Sequence, residues 1–308
     1  MNIIGQKYIY FAISAILIIP GIISLSLYGL RLGIDFQGGT LLELKLEKAA
    51  PGVTIDSTVE NQEKSNVVSS LQNIVEVNSI SKVSDQSYLL RTKVLDKEKV
   101  TEVKAALETN FGQVEQKRVE TVGPTIGKEL VQNSLISLIL ASVAIVFYIA
   151  FSFREVPKPA SSWKFGLTAI AALLHDVLFV VGVFSILGKL YNVEVDSLFV
   201  TALLTIIGFS VHDTIVVYDR IRENLKRRLP LSFAEVVNKS IIETIGRSVA
   251  TSLTVVLVLS SLLLFGGQTI KWFVVALLVG IVSGTYSSIF NASPLLVVWQ
   301  EWSDKSKK

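Results

Sequence analysis

The chain has 308 residues, 50% hydrophobic and 18% charged, with a mean hydropathy of +0.54 and a formal net charge of +3. Such a hydropathy is high for a water-soluble globule, and apolar residues and charges are segregated along the chain, so an integral membrane protein is expected. Balanced charge without a basic, aromatic-laced tract argues against nucleic acid as a partner, and the absence of cysteine excludes disulfides and thiolate metal sites.

The first apolar run, Tyr8 to Leu30, carries no charge and is long enough for a bilayer, which needs roughly 20 apolar residues per helix. It includes Pro20 and Gly21, a pair that membrane helices tolerate. It continues into Arg31 without a small-residue cleavage pattern, so an uncleaved anchor is expected rather than a signal peptide.

From about Asp35 to Gly127 the pattern changes to short β-type runs and charged amphipathic stretches. Thr40 to Glu47 alternates apolar with polar residues, Ser57 to Ile74 has helical spacing, and Val77 to Val83 with Tyr88 to Val94 form a hairpin pattern. Asp96 to Phe111 reads as an aspartate-capped helix and Val114 to Val122 as a closing strand. The order βαββαβ predicts a ferredoxin-like α+β domain outside the membrane. No catalytic carboxylate pair, no Ser/His/Asp set and no metal-spaced ligands stand out in it, so neither an enzyme nor a cofactor site is expected.

Five further spans follow: Val131 to Phe153, Phe165 to Gly188, about Val195 to Tyr218, about Ile241 to Ile270, and Trp272 to Gln300. The predicted organisation is residues 1–34 for the tail and first span, 35–127 for the extracytoplasmic domain, 128–300 for spans two to six, and 301–308 for a tail. Basic residues gather at Arg154, Lys158 and Lys164, between Arg220 and Arg247, and at Lys305 to Lys308, which places those segments and both termini in the cytoplasm.

Two acid-bearing pairs interrupt the apolar runs: His175 with Asp176 in span three, and His212 with Asp213 in span four. An ionisable group at the bilayer centre costs about 2.5–3.5 kcal/mol on insertion scales, so each needs a partner inside the bundle or along a wet path. Arg247, opening span five, and Arg220, seven residues after Asp213, are the available cations, and an Asp213–Arg247 contact is expected. A carboxylate whose partner approaches and withdraws changes its proton affinity, which is the basis of a proton relay. Permanent interhelical hydrogen bonding is the alternative for both pairs, and metal binding is disfavoured because no H-E-x-x-H spacing occurs. Adjacent helical residues point about 100° apart, so His175 and Asp176 are not expected to address one site. Gly182 with Gly188, Gly208 with Ser210, and Gly280 with Gly284 are expected to serve close helix packing.

Five stretches in order resemble the SecF protein-export family, whose membrane region is similar to that of the RND transporters. They are GIDFQGGT (Gly33 to Thr40), VGPTIGKEL (Val122 to Leu130), LLHDVL (Leu173 to Leu178), FSVHDTIVVYDRIREN (Phe209 to Asn224) and GTYSSIFNASPLL (Gly284 to Leu296). The resemblance implies an RND-like six-helix bundle in the bacterial inner membrane and a partnership with SecD. It also implies association with the SecYEG channel, SecA and YidC, and use of the proton motive force on preproteins. It places proton conduction on Asp213, in the D-x-x-V-V-x-D-R motif, and on Arg247. Family members often carry phenylalanine where this chain has Tyr218, a change expected not to matter. A small-solute RND-like proton antiporter and a purely structural assembly subunit are the competing expectations.

Overall fold

The computed structural model describes residues 2–46, 65–72, 74–84, 87–157, 159–228 and 230–306. They form two compact units, Leu32–Asn133 and Met1–Arg31 together with Ser134–Lys308.

In the smaller unit, a short turn of helix, α2 (Ile34–Gln37), leads into strand β1 (Gly39–Leu46). The chain enters β1 through Gly38 and Gly39, with φ of +77° and +133°. A Cβ on Gly39 would come within 2.6 Å of the Thr92 carbonyl, so only glycine lets β1 lie this close to its neighbour. A helix α3 (residues 65–71), strands β2 (Val77–Ser84) and β3 (Ser87–Thr92), helix α4 (Lys97–Phe111) and strand β4 (Val114–Val122) follow. The part of the predicted helix over 57–74 that precedes residue 65 lies outside the described residues. The strands lie in the order β2-β3-β1-β4, with every neighbouring pair antiparallel. This is the anticipated split βαβ arrangement.

Alternation along β1 sends Leu42, Leu44 and Leu46 into one core, where they meet Val67 and Leu71 of α3 and Val103, Leu107 and Phe111 of α4. Asp96 caps α4 by accepting from the Lys99 N–H at 2.9 Å.

Among the described residues, six helical segments are long and apolar enough to cross a membrane. They are α1 (Lys7–Tyr28), α5 (Pro124–Ser152), α6 (Ser162–Tyr191), α7 (Ser197–Lys226), α8 (Phe233–Phe265), and a last segment made of α9 (Lys271–Ser287), a π-helical turn (Ser288–Ala292) and α10 (Ser293–Lys305). Helix α8 begins eight residues before the predicted apolar start at Ile241. Ser232 and Glu235 form a reciprocal capping box there, and an amphipathic stretch carries the helix on, burying Val236, Val237 and Ser240.

Small residues set how closely the helices approach. A Cβ on Gly21 of α1 would sit 2.8 Å from the Gly182 Cα of α6, and one on Gly182 would sit 2.7 Å from the Gly21 Cα. One turn on, Ser24 and Ser185 share a hydrogen bond of 2.9 Å. Gly280 faces the Ile206 side chain and Gly284 faces Ser210, as packing glycines. Gly208 does not: nothing lies within 4 Å of a Cβ placed on it, so it opens outward from α7.

Candidate functional site

Asp176 and Asp213 both reach the interior where α6, α7, α8 and α9 meet, at 0% and 2% exposure. The helical period makes this possible. Ser210 and Thr214 on α7, Ser248 and Ser252 on α8, and Ser283 and Ser287 on α9 each stand four residues apart, so each helix turns a hydroxyl-bearing stripe inward.

Asp176 accepts from Ser210 Oγ at 2.6 Å, Ser287 Oγ at 2.6 Å and Ser283 Oγ at 2.9 Å. Its Oδ1 also lies 3.0 Å from His175 Nδ1. The two adjacent side chains therefore do address one site, against expectation: the Cβ directions diverge, but the imidazole swings back over the turn to the carboxylate. His175 Nε2 is buried with no hydrogen-bond partner among the described residues.

Asp213 is held more loosely. Its Oδ2 lies 3.5 Å from Ser252 Oγ, and Ser252 in turn is 2.5 Å from the Thr285 hydroxyl of α9. The expected Asp213–Arg247 contact is absent among the described residues. Ser248 and Ser252 occupy the inward face of α8, and Arg247, rotated about 100° from Ser248, is exposed. His212 is likewise exposed on α7. Arg220 is not a partner either; its guanidinium bonds Glu223 at 2.5 Å and Glu243 at 2.7 Å at the far end of α7. Neither buried carboxylate has a lysine or arginine partner among the described residues. Hydroxyls, joined at Asp176 by the His175 imidazole, are their partners, an arrangement in which protonation changes the local energy strongly because the surroundings have low dielectric.

Below the carboxylates the hydroxyl seam continues. Thr214 Oγ1 and Ser288 Oγ are 2.9 Å apart, and Ser288 donates to the Ser210 carbonyl at 3.1 Å. Tyr218, fully buried against Phe153 and Phe165, places its hydroxyl 2.6 Å from Thr168 Oγ1 and donates to the Ala292 carbonyl at 3.2 Å. A phenylalanine at position 218 loses both bonds, so the change expected not to matter removes two buried contacts. Sequence reasoning passed over Ser252, Ser283, Thr285 and Ser287; the period-four spacing of Ser248 with Ser252 and of Ser283 with Ser287 inside apolar runs is the signal that marks the serines. Among the described residues, no group of three or more His, Asp or Glu side chains gathers as a metal site.

Two family profiles match: SecD/SecF GG motif at residues 23–50, and protein export membrane protein SecD/SecF, C-terminal, at residues 102–302. The protein translocase subunit SecF of Thermobaculum terrenum is 47% identical over 97% of this chain and 94% of its own. The chain belongs to the SecF family of protein translocase subunits. Another SecF relative, from Anaerolinea thermophila, is 40% identical over 100% of this chain and 97% of its own length. The crystal structure of SecDF, a translocon-associated membrane protein from Thermus thermophilus, superposes with a TM-score of 0.80 at 34% identity, covering 98% of this chain and 39% of that one. These relatives favour the export role of a SecF-family chain over solute antiport.

Proposed function

We propose that this SecF-family subunit pairs with a separate SecD protein and uses the proton motive force to complete preprotein translocation, with Asp213 as the carboxylate that gains and loses the proton. The observation that carries the reading is the contrast at the α7–α8 flank: Asp213 is buried among hydroxyls, while His212 and Arg247 are exposed beside it. A guanidinium and an imidazole facing lipid are costly, so another span covers this flank. Gly208 and Thr205, one and two turns from His212, leave room for it. The relative named SecDF in Bacillus subtilis, of which this chain matches 37%, supports SecD as the source of that span.

His175 and Asp176 act in the same bundle as the fixed neighbours of the proton site. Both termini face the cytoplasm in this reading. The first residues and α10 meet at one end of the bundle, where Lys7 binds Glu301 at 2.7 Å and Asn238 accepts from the Ile3 N–H at 2.8 Å, and that end carries the basic connection after α7. The SecYEG channel, SecA and YidC are the expected further partners, and no enzymatic step is assigned. Replacing Asp213 with Asn in vesicles that hold the partner subunits should abolish the part of preprotein release that responds to a proton gradient. Release that keeps its gradient dependence overturns the reading.

A further inference from the structure

The last membrane segment is not one regular helix. Between α9 and α10 it passes through the π-helical turn Ser288–Ala292, and Pro294, the second residue of α10, removes a backbone N–H from the ladder that would otherwise close over that turn. A π turn holds one residue more than an α turn, so α9 is out of phase with α10 by about 100° relative to an unbroken helix. The phase matters because α9 supplies Ser283 and Ser287 to Asp176, and Thr285 to Ser252, the hydroxyl beside Asp213.

The turn is pinned from its neighbours. On α7, Thr214 meets the Ser288 hydroxyl at 2.9 Å, the Ser210 carbonyl accepts from Ser288 at 3.1 Å, and Tyr218 donates to the Ala292 carbonyl at 3.2 Å. On α1, Ser14 donates to Asn291 Oδ1 at 2.9 Å. We propose that this π turn sets the rotational phase of α9, and that Thr214, Ser288 and Tyr218 are the positioning residues that hold it, so that the hydroxyls of α9 face the two carboxylates. Relaxation of the turn to α-helix rotates α9 and withdraws Ser283, Thr285 and Ser287 from the site. The meaning of that rotation for export rests on the reading of Asp213 above; the geometry does not.

The chain has no cysteine, so a single Cys at Val282, 56% exposed on α9 just before the turn, can carry a nitroxide whose collisions with oxygen report lipid exposure. In the full chain reconstituted with its partner subunits, Thr214→Val with Ser288→Ala should lower oxygen access at position 282. The same pair should reduce gradient-dependent release about tenfold, and Thr214→Ser should keep both near the starting values. Unchanged access at 282 overturns the proposal, as does unchanged release in a background where Asp213→Asn abolishes it. Release indifferent to Asp213→Asn overturns the proton reading instead, and the accessibility change alone then decides the role of the turn. Should the double variant not fold, Tyr218→Phe, which removes only one hydroxyl, is judged by the same two measurements.

Discussion

Asp176 ties three helices to one side chain. Its oxygens accept from serines of α7 and α9 while its backbone belongs to α6. Asparagine at this position fits the same volume, but its amide nitrogen cannot accept from a hydroxyl, and each buried hydroxyl left without an acceptor costs about 1–3 kcal/mol. Asp176→Asn should therefore lower the melting temperature of the purified protein in detergent; an unchanged midpoint would show that the cage does not hold the bundle. Asp213 has one long hydroxyl contact, from Ser252 at 3.5 Å, so Asp213→Asn should melt close to the parent while losing gradient-dependent export, a separation of stability from function that the pair of variants measures directly. Both carboxylates were legible in the sequence because a charge in an apolar run announces itself. Their partners were not: serine and threonine are unremarkable in membrane helices, and Arg247 drew attention by its charge although its position on α8 turns it outward.

Helices and strands followed their sequence signals where one physical rule governed them. The closing strand Val114–Val122 and the capped helix ending at Phe111 fall where alternation, the Asp96 cap and Gly112 place them. The spans were found by hydropathy, which measures the lipid-facing length rather than the helix, so α7 runs past its predicted end at Tyr218 and α8 starts ahead of its predicted Ile241 on amphipathic turns, while α8 stops at Phe265, short of the predicted Ile270. The π turn left no comparable mark, because a shift of one residue in phase depends on contacts across helices rather than on local composition. Two substitutions test the packing. Leu107→Ala opens a cavity under β1 and should cost about 2–5 kcal/mol, read as faster amide exchange throughout the sheet; protection equal to the parent would place that core elsewhere. Gly182→Leu drives a side chain into the backbone of α1 and should cost about 1–3 kcal/mol, seen as a lower melting temperature, with no change expected if α1 packs differently.

The two compact units meet different demands: one is a water-facing sheet with two helices on it, the other a bundle whose polar groups lie inside and along one flank. That flank should be the docking face for the partner. Gly208→Trp should block copurification of SecD, whereas Leu140→Trp on the exposed face of α5 should leave it intact; equal recovery in both would move the interface to another face. The close crossing of Gly21 and Gly182 also bears on how the protein is made. The first span reaches the bilayer 161 residues ahead of the backbone notch it fits, the same separation as its Ser24–Ser185 bond. At roughly 5–20 residues per second, a ribosome needs about 8–30 s to deliver that half. During this interval the nascent anchor displays a bare glycine and the Ser24 hydroxyl to lipid, an opening for insertion chaperones to occupy until the third span arrives.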